Sequence, residues 1–307
     1  MPPSAQSLVP VTPLAPRPRL QRVEAVVNAA SGSVGPGAAE VLAEVIATHG
    51  YACNLAAPEP ADLGRAIAAA VDAGPDLLVV LGGDGTARLA AERCGHDGPL
   101  LAALPGGTLN MLPRILYGAR PWREALVAAL DEGIERSIGG GRVDGRAFYV
   151  AAILGAPALW GAAREAVRSG NIARAWRRGV YALRRSFSGR IHYQLDGEPR
   201  RNAEALVLIS PAASKAMMSV PSLEVAELDM HSALEMFRLA FNGLLGDWRR
   251  DPGVTVYAAA HGRAAARRRV PCILDGELLL LSRNPEFVYH SNAFRALAVA
   301  GAGGPVL

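Results

Sequence analysis

The chain has 307 residues, enough for two domains of ordinary size, and half of them are hydrophobic, ample material for a core. Its net charge of +4 is carried by arginine, with Lys215 the one lysine, and permits an acidic partner such as a nucleotide phosphate or an anionic membrane surface without demanding one. Cys53, Cys94 and Cys272 are odd in number and far apart, and the histidines show no ligand spacing, which argues against a disulfide framework or a zinc site and points to a reducing cytoplasm.

Residues 1–20 are proline-rich, lack the apolar run of a signal peptide and read as a flexible tail. Val23 to Val27 reads as a first strand ending at Asn28-Ala29-Ala30-Ser31-Gly32. Pro36 then opens a helix to about His49 with Val41, Leu42, Val45 and Ile46 on one face. Tyr51 to Ala57 is a second strand and Ala61 to Ala73 a second helix. Leu77 to Leu81 suits a strand buried on both faces, and it stops at Gly82-Gly83-Asp84-Gly85-Thr86, where three glycines permit a tight turn. Thr86 is positioned to cap a helix over Ala87 to Cys94.

The design repeats. Leu100 to Leu104 is another buried run, and Pro105-Gly106-Gly107-Thr108-Leu109-Asn110 opens the next helix, with Arg114 a turn further on. Alternating strands and helices give a parallel, doubly wound sheet. Its ligand crevice lies at the strand C-termini, where Asn28 to Gly32, Gly82 to Thr86 and Gly106 to Asn110 meet as a phosphate site. A carboxylate there, Asp84, suggests a metal or a reacting proton.

After a helix over Pro121 to Glu132 the pattern changes near Gly139-Gly140-Gly141. Strand-like runs follow at Ala147 to Leu154, Arg190 to Leu195, Ala203 to Ile209, Leu223 to Leu228, Val254 to Ala259, Val270 to Leu274 and Leu278 to Leu281, as in an antiparallel β domain. Two helical insertions interrupt them, Ala162 to Arg185 and Ser232 to Leu245. The first is arginine-rich and fits either a membrane surface or a solvated face over an apolar stripe. Phe148 to Ala163 is too short and broken to span a bilayer, and reads as a pocket wall or as core. Asp-Gly-Glu occurs twice, at Asp196 to Glu198 and at Asp275 to Glu277, and each reads first as a hairpin turn.

The ordered set Asn28-x-x-Ser31-Gly32, Gly82-Gly83-Asp84-Gly85-Thr86, Pro105-x-Gly107-Thr108-x-Asn110 and Asp275-Gly276-Glu277 resembles the diacylglycerol kinase catalytic-domain family, which includes bacterial diacylglycerol and YegS-like lipid kinases and their sphingosine and ceramide kinase relatives. The resemblance runs from about Val23 to the C-terminus. It implies an α/β nucleotide-binding domain over 21–141, a β-sandwich lipid-substrate domain over 142–283, and a segment 284–307 returning to the first, an NAD kinase/diacylglycerol kinase-like fold. The implied chemistry is transfer of the ATP γ-phosphoryl group to a lipid hydroxyl with Mg²⁺. Asn28, Ser31 and Gly32 would contact the nucleotide, Gly82, Gly83, Asp84, Gly85 and Thr86 its phosphates, and Gly107, Thr108, Asn110 and Arg114 its other side. Asp275 would take the hydroxyl proton with Glu277 in support, and Asp84 would organise Mg²⁺ through water. The resemblance leaves Asp84 as a second candidate base, and Asp196 reads as a turn.

The chain departs from the family pattern at Arg88-Leu89, where an Asn-Glu pair is usual, at Ser33 to Ala39, which lacks a basic residue, at Ser210-Pro211-Ala212, and at Met111-Leu112-Pro113. Two rivals share the turns: a catalytically inactive lipid- or nucleotide-binding relative, and NAD kinase. The expected partners are a lipid alcohol and, peripherally, an anionic membrane at the cytoplasmic face. Nucleic acid is not among them, and a homodimer is compatible with the sequence.

Overall fold

The computed structural model of the chain describes residues 17–155, 190–214, 220–229 and 248–301. The two insertions expected over Ala162 to Arg185 and Ser232 to Leu245 lie outside these residues, as do Lys215 and most of the N-terminal tail.

Leu77, Leu78, Val79, Val80 and Leu81 are all buried, and an all-apolar strand of this kind must be covered on both faces. It is strand β3 (Leu77–Gly82). It lies parallel between β1 (Arg22–Val27) and β4 (Leu100–Pro105), with β2 (Ala52–Ala56) parallel at the edge. The helices α1 (Ala38–Thr48), α2 (Leu63–Asp72), α3 (Asp84–Cys94), α4 (Met111–Tyr117) and α5 (Trp122–Glu132) connect and cover these strands, each within a few residues of its expected place. Leu42 and Ile46 of α1, Ile67 of α2 and Leu126 of α5 are buried in one core with β3. Each side chain of this size contributes about 1.5–3 kcal/mol when fully buried.

The glycine run Gly139-Gly140-Gly141, where the pattern was expected to break, lies inside the strand β5 (Gly133–Val143), so the boundary drawn at 141/142 falls within an element. The glycines are there to admit rings. A β-carbon at Gly139 would lie 2.6 Å from the Tyr289 hydroxyl, one at Gly140 would lie 2.7 Å from the Tyr149 ring, and one at Gly141 would run into Phe148. β5 pairs along its length with β16 (Glu286–Val299), antiparallel, with an irregularity between His290 and Phe294. Beyond that irregularity Ala296 lies beside Leu101 of β4, in parallel. Before it, β16 pairs with β13 (His261–Ala265), which leads to β8 (Ile191–Leu195) and β9 (Arg201–Ala203). One ten-stranded sheet therefore contains the parallel strands and their antiparallel continuation, in the order β2-β1-β3-β4-β16-β13-β8-β9, with β5 and β6 (Arg146–Phe148) off this path.

The strand expected over Ala147 to Leu154 is broken in two. β6 belongs to the ten-stranded sheet and β7 (Ala151–Gly155) to a second one, and the chain changes sheets at Tyr149-Val150. The second sheet is antiparallel throughout. Its order is β12 (Val254–Ala259), β11 (Leu223–Leu228), β10 (Ala205–Ile209), β7, β14 (Pro271–Leu274) and β15 (Glu277–Leu280). Ile191, Tyr193 and Phe287 of the first sheet share a core with Leu154, Leu208, Val225 and Cys272 of the second, so the two sheets pack face to face.

Candidate functional site

Because β1, β3 and β4 are parallel neighbours, the loops that follow them emerge at one sheet edge. They are also bonded to one another. Gly106 donates its N–H to the Gly82 carbonyl over 2.8 Å, and Ser33 donates from its backbone N–H to the Gly106 carbonyl and from its hydroxyl to the Gly107 carbonyl, each over 2.9 Å. Asn28 donates from Nδ2 to the Thr86 hydroxyl over 3.0 Å. The glycine turns touch backbone to backbone: a β-carbon on Gly107 would lie 2.7 Å from Cα of Gly83, and one on Gly106 would lie 2.9 Å from the Gly82 nitrogen. Ser31 closes the same corner, with its Oγ 3.3 Å from where a Gly83 β-carbon would be, while the position of a β-carbon on Gly32 is open. Side chains at these glycines would fill the crevice or force the loops apart, which is the physical demand for glycine here.

Asn110 adopts a left-handed conformation, φ 51°, and folds its amide back on Gly107, accepting from Gly107 N–H over 2.7 Å and donating to its carbonyl over 2.8 Å. Its role is thus to shape the turn. Thr108 and Arg114 are exposed at the same edge. Thr86 is not the helix cap that the sequence suggested: α3 begins at Asp84, and the Thr86 hydroxyl is occupied with Asn28.

Asp84 turns towards α4. Its two oxygens accept backbone N–H groups of Asn110 at 2.9 Å and Met111 at 2.6 Å, so one carboxylate ties both glycine turns together. Burial pushes its pKa upward against those amide bonds. Asp84 is the residue that would organise, through water, the Mg²⁺ implied by the resemblance. Each Asp84 oxygen accepts one backbone amide, and among the described residues no three His, Cys, Asp or Glu side chains gather to hold a metal.

The hairpin joining β14 to β15 arrives over this edge. Asp275 (φ 46°) and Gly276 (φ 93°) are both left-handed, as a two-residue type I′ turn requires, and Asp-Gly satisfies it. The Asp275 carboxylate is only 6% exposed. It accepts three consecutive backbone N–H groups, Tyr149 to Oδ2 over 2.7 Å and Val150 and Ala151 to Oδ1 over 2.9 Å each. These are the residues at which the chain changes sheets, so the break between β6 and β7 exists where it feeds this carboxylate. Burial raises the Asp275 pKa to about 6, against the three amides and the nearby Arg88 charge. Ser210 supports the arrangement from behind, donating its hydroxyl to the Tyr149 carbonyl over 2.5 Å and its N–H to the Val150 carbonyl over 2.9 Å.

Glu277 completes the contact between hairpin and glycine turn. A β-carbon on Gly85 would collide with its Oε1, and its Oε2 accepts from Arg88 of α3 over 2.6 Å. Leu109 of the second glycine turn lies 3.9 Å from a β-carbon placed on Gly276. Asp275-Gly276-Glu277 therefore meets both glycine turns. Asp196 does not: its carboxylate accepts from Ala260 and His261 N–H groups at an exposed turn of the ten-stranded sheet.

Sequence reasoning missed Ser33, Arg88, the amides of 149–151 and Ser210. Arg88 and Ser210 stood out only as departures from the family pattern. Cys94 and Cys272 are buried thiols with pKa values pushed up to about 12, and Cys53 is raised to about 11, which leaves none of them a ready nucleophile. No helix among the described residues is long and apolar enough to cross a membrane.

Residues 22–143 match the diacylglycerol kinase catalytic domain. The whole fold is similar to that of a diacylglycerol kinase from Bacillus anthracis str. Sterne, at a TM-score of 0.66 and 15% identity over 93% of this chain and 100% of that one. A second chain assigned as a diacylglycerol kinase from the same strain gives a TM-score of 0.69 and 16% identity, with the same coverage. An NAD kinase from Archaeoglobus fulgidus gives 0.51 and 10% identity over 92% of this chain and 95% of that one. At these identities the structural likenesses establish the fold, α/β with a parallel sheet and a second, antiparallel sheet. The match to the diacylglycerol kinase catalytic domain covers residues 22–143, the part of the chain that contains both glycine turns.

Proposed function

We propose that the chain is an ATP-dependent lipid kinase that moves the γ-phosphoryl group of ATP to the hydroxyl of a diacylglycerol-like or other lipid alcohol. The observation that carries this reading is the meeting of three mutually bonded loops, stripped of side chains at Gly83, Gly85 and Gly107, with a buried carboxylate on an overhanging hairpin. Phosphoryl transfer needs a cradle for phosphate oxygens, a positioned nucleophile and charge stabilisation, and little covalent chemistry from the protein. The glycine turns supply the cradle, and the structure of the Archaeoglobus NAD kinase was solved with ATP.

Asp275 supplies the base. A carboxylate accepts about four hydrogen bonds; three are taken by amides, which leaves one lone-pair direction for the acceptor hydroxyl. With a pKa of about 6 it is ionised at neutral pH yet basic enough to accept a proton as the acceptor oxygen attacks. Mg²⁺, if the reaction takes it, comes with the nucleotide.

A lipid acceptor is favoured over a dinucleotide by β15. Leu278 and Leu280 are 45% and 52% exposed, two residues apart on one face of an edge strand, and they directly follow Asp275-Gly276-Glu277. An acyl-bearing acceptor resting there would present its hydroxyl beside Asp275. The test is incubation of the protein with γ-labelled MgATP and either mixed-lipid vesicles or NAD. Label in the lipid fraction is the expected result; label in NAD would hand the site to the rival kinase, and label in neither would leave a binding protein.

A further inference from the structure

Arg88 sits one turn beyond the Asp84-Gly85-Thr86 corner, and its side chain is 20% exposed. Three carboxylates surround this part of the molecule. Glu277 accepts from its Nη2 over 2.6 Å, Glu92 lies 3.8 Å from its Nη1, and Asp275 is close enough for the guanidinium charge to oppose the effect of burial on its carboxyl. Arg142 of β5 adds a second cation, 3.6 Å from Glu92. A guanidinium placed this deep is unfavourable unless its partners are fixed, and here they come from three places: its own helix, the hairpin turn and, through Glu92, the strand β5. The hairpin side of the contact is equally constrained, because Glu277 fits only where Gly85 has no side chain.

We propose that Arg88 is a positioning residue: through Glu277 it clasps the Asp275-Gly276-Glu277 hairpin onto the glycine turn, and so holds Asp275 at the distance from the phosphate cradle that transfer requires. The clasp joins an element of the first core to one of the second, and among the described residues no other ion pair links the hairpin to α3. The inference deepens the kinase reading, but its geometry concerns the protein alone. The groups facing Asp275 are Arg88 from α3, Tyr149 from the β6–β7 junction and Cys272 from β14.

The test uses protein without nucleotide or lipid, so that its failure is distinguishable from failure of the kinase reading. Hydrogen exchange is followed at the amides of residues 149–151 and 275–277, with those of β1 and β3 as internal reference, and the Asp275 carboxyl is titrated by carbon NMR. In Arg88→Gln and in Glu277→Gln the site amides are expected to exchange about tenfold faster with the reference amides unchanged. In Arg88→Gln the Asp275 titration is expected to move upward, with Arg88→Lys restoring much of it. Unchanged exchange at the site, faster exchange everywhere in the molecule, or an unmoved Asp275 titration would each overturn the proposal.

Discussion

Two turns of this chain share the sequence Asp-Gly-Glu and the same left-handed backbone, with φ 43° and 82° at Asp196-Gly197 and 46° and 93° at Asp275-Gly276. Both carboxylates accept backbone N–H groups from a segment remote in sequence, Asp196 from Ala260 and His261 and Asp275 from Tyr149, Val150 and Ala151. They differ in surroundings. Asp196 is exposed at a strand connection, paired with His261, and its carboxylate holds the neighbouring connection between β12 and β13. Asp275 is enclosed by the junction where one sheet hands the chain to the other, and the two residues after it, Gly276 and Glu277, meet the glycine turns. Local sequence fixes a turn; what the turn is pressed against decides whether its carboxylate is a structural acceptor or a reactive group.

The largest expected contrast is between Asp275→Asn and Asp196→Asn. The first removes the proposed base and should lower lipid phosphorylation by about 10²–10⁴-fold, in line with loss of general-base catalysis. The second should leave turnover within about twofold, since Asp196 holds an exposed connection of the ten-stranded sheet. Steady-state rates of the two purified variants decide it, and equal losses would break the comparison.

The next contrast lies in the cradle. Gly107→Ala pushes a β-carbon to within 2.7 Å of the Gly83 backbone, which cannot yield as a flexible side chain would. About 1–3 kcal/mol of overpacking strain is expected, with nucleotide affinity falling at least tenfold by calorimetry. Gly197→Ala at the exposed turn meets nothing within 4 Å and should cost only the strain of its positive φ, leaving nucleotide affinity unchanged.

A third follows from charge. If Asp275 must be ionised to act, turnover should rise as pH increases through about 6 and level off above it. The sign for stability runs the other way. The carboxyl has a raised pKa in the folded protein, so its contribution to stability is complete below its unfolded value of 3.8 and is lost as pH rises towards about 6. A rate profile flat from pH 5 to 8 would remove Asp275 from the reaction.

Smaller still are the supports. Ser210→Ala leaves the Tyr149 carbonyl without its 2.5 Å donor and should cost about 1 kcal/mol of stability, with a several-fold loss of turnover as the 149–151 amides relax. Leu278→Ser with Leu280→Ser should weaken activity on vesicles by a few-fold and spare a soluble short-chain acceptor, which vesicle and monomer assays run side by side would reveal.

Much of the parallel half was legible because its signals are local. Val23 to Val27, Leu77 to Leu81 and Leu100 to Leu104 are apolar throughout, and each ends at a turn rich in glycine or small polar residues, so strand, loop and sheet edge follow from the order of residues. β5 was not legible. Its glycines look like a linker until Phe148, Tyr149 and Tyr289 are seen lying over them, and those contacts are long-range. The same distinction separates the site residues. Asn28, Ser31 and the glycines of 82–85 and 106–107 gather because neighbouring parallel strands must place them so. That the hairpin at Asp275, rather than the one at Asp196, reaches them depends on the register of the second sheet, with β14 beside β7, and on the Arg88–Glu277 pair across 189 positions. Arg88 looked like a lost motif residue in the sequence; in the fold it is bonded to the hairpin it faces.

The most direct test of the central claim is transfer of γ-labelled phosphate from MgATP into the lipid phase by wild type, Asp196→Asn and Asp275→Asn, each first shown to bind nucleotide. The account predicts label with the first two and almost none with the third. Absence of label with wild type, or equal label with both variants, would contradict it.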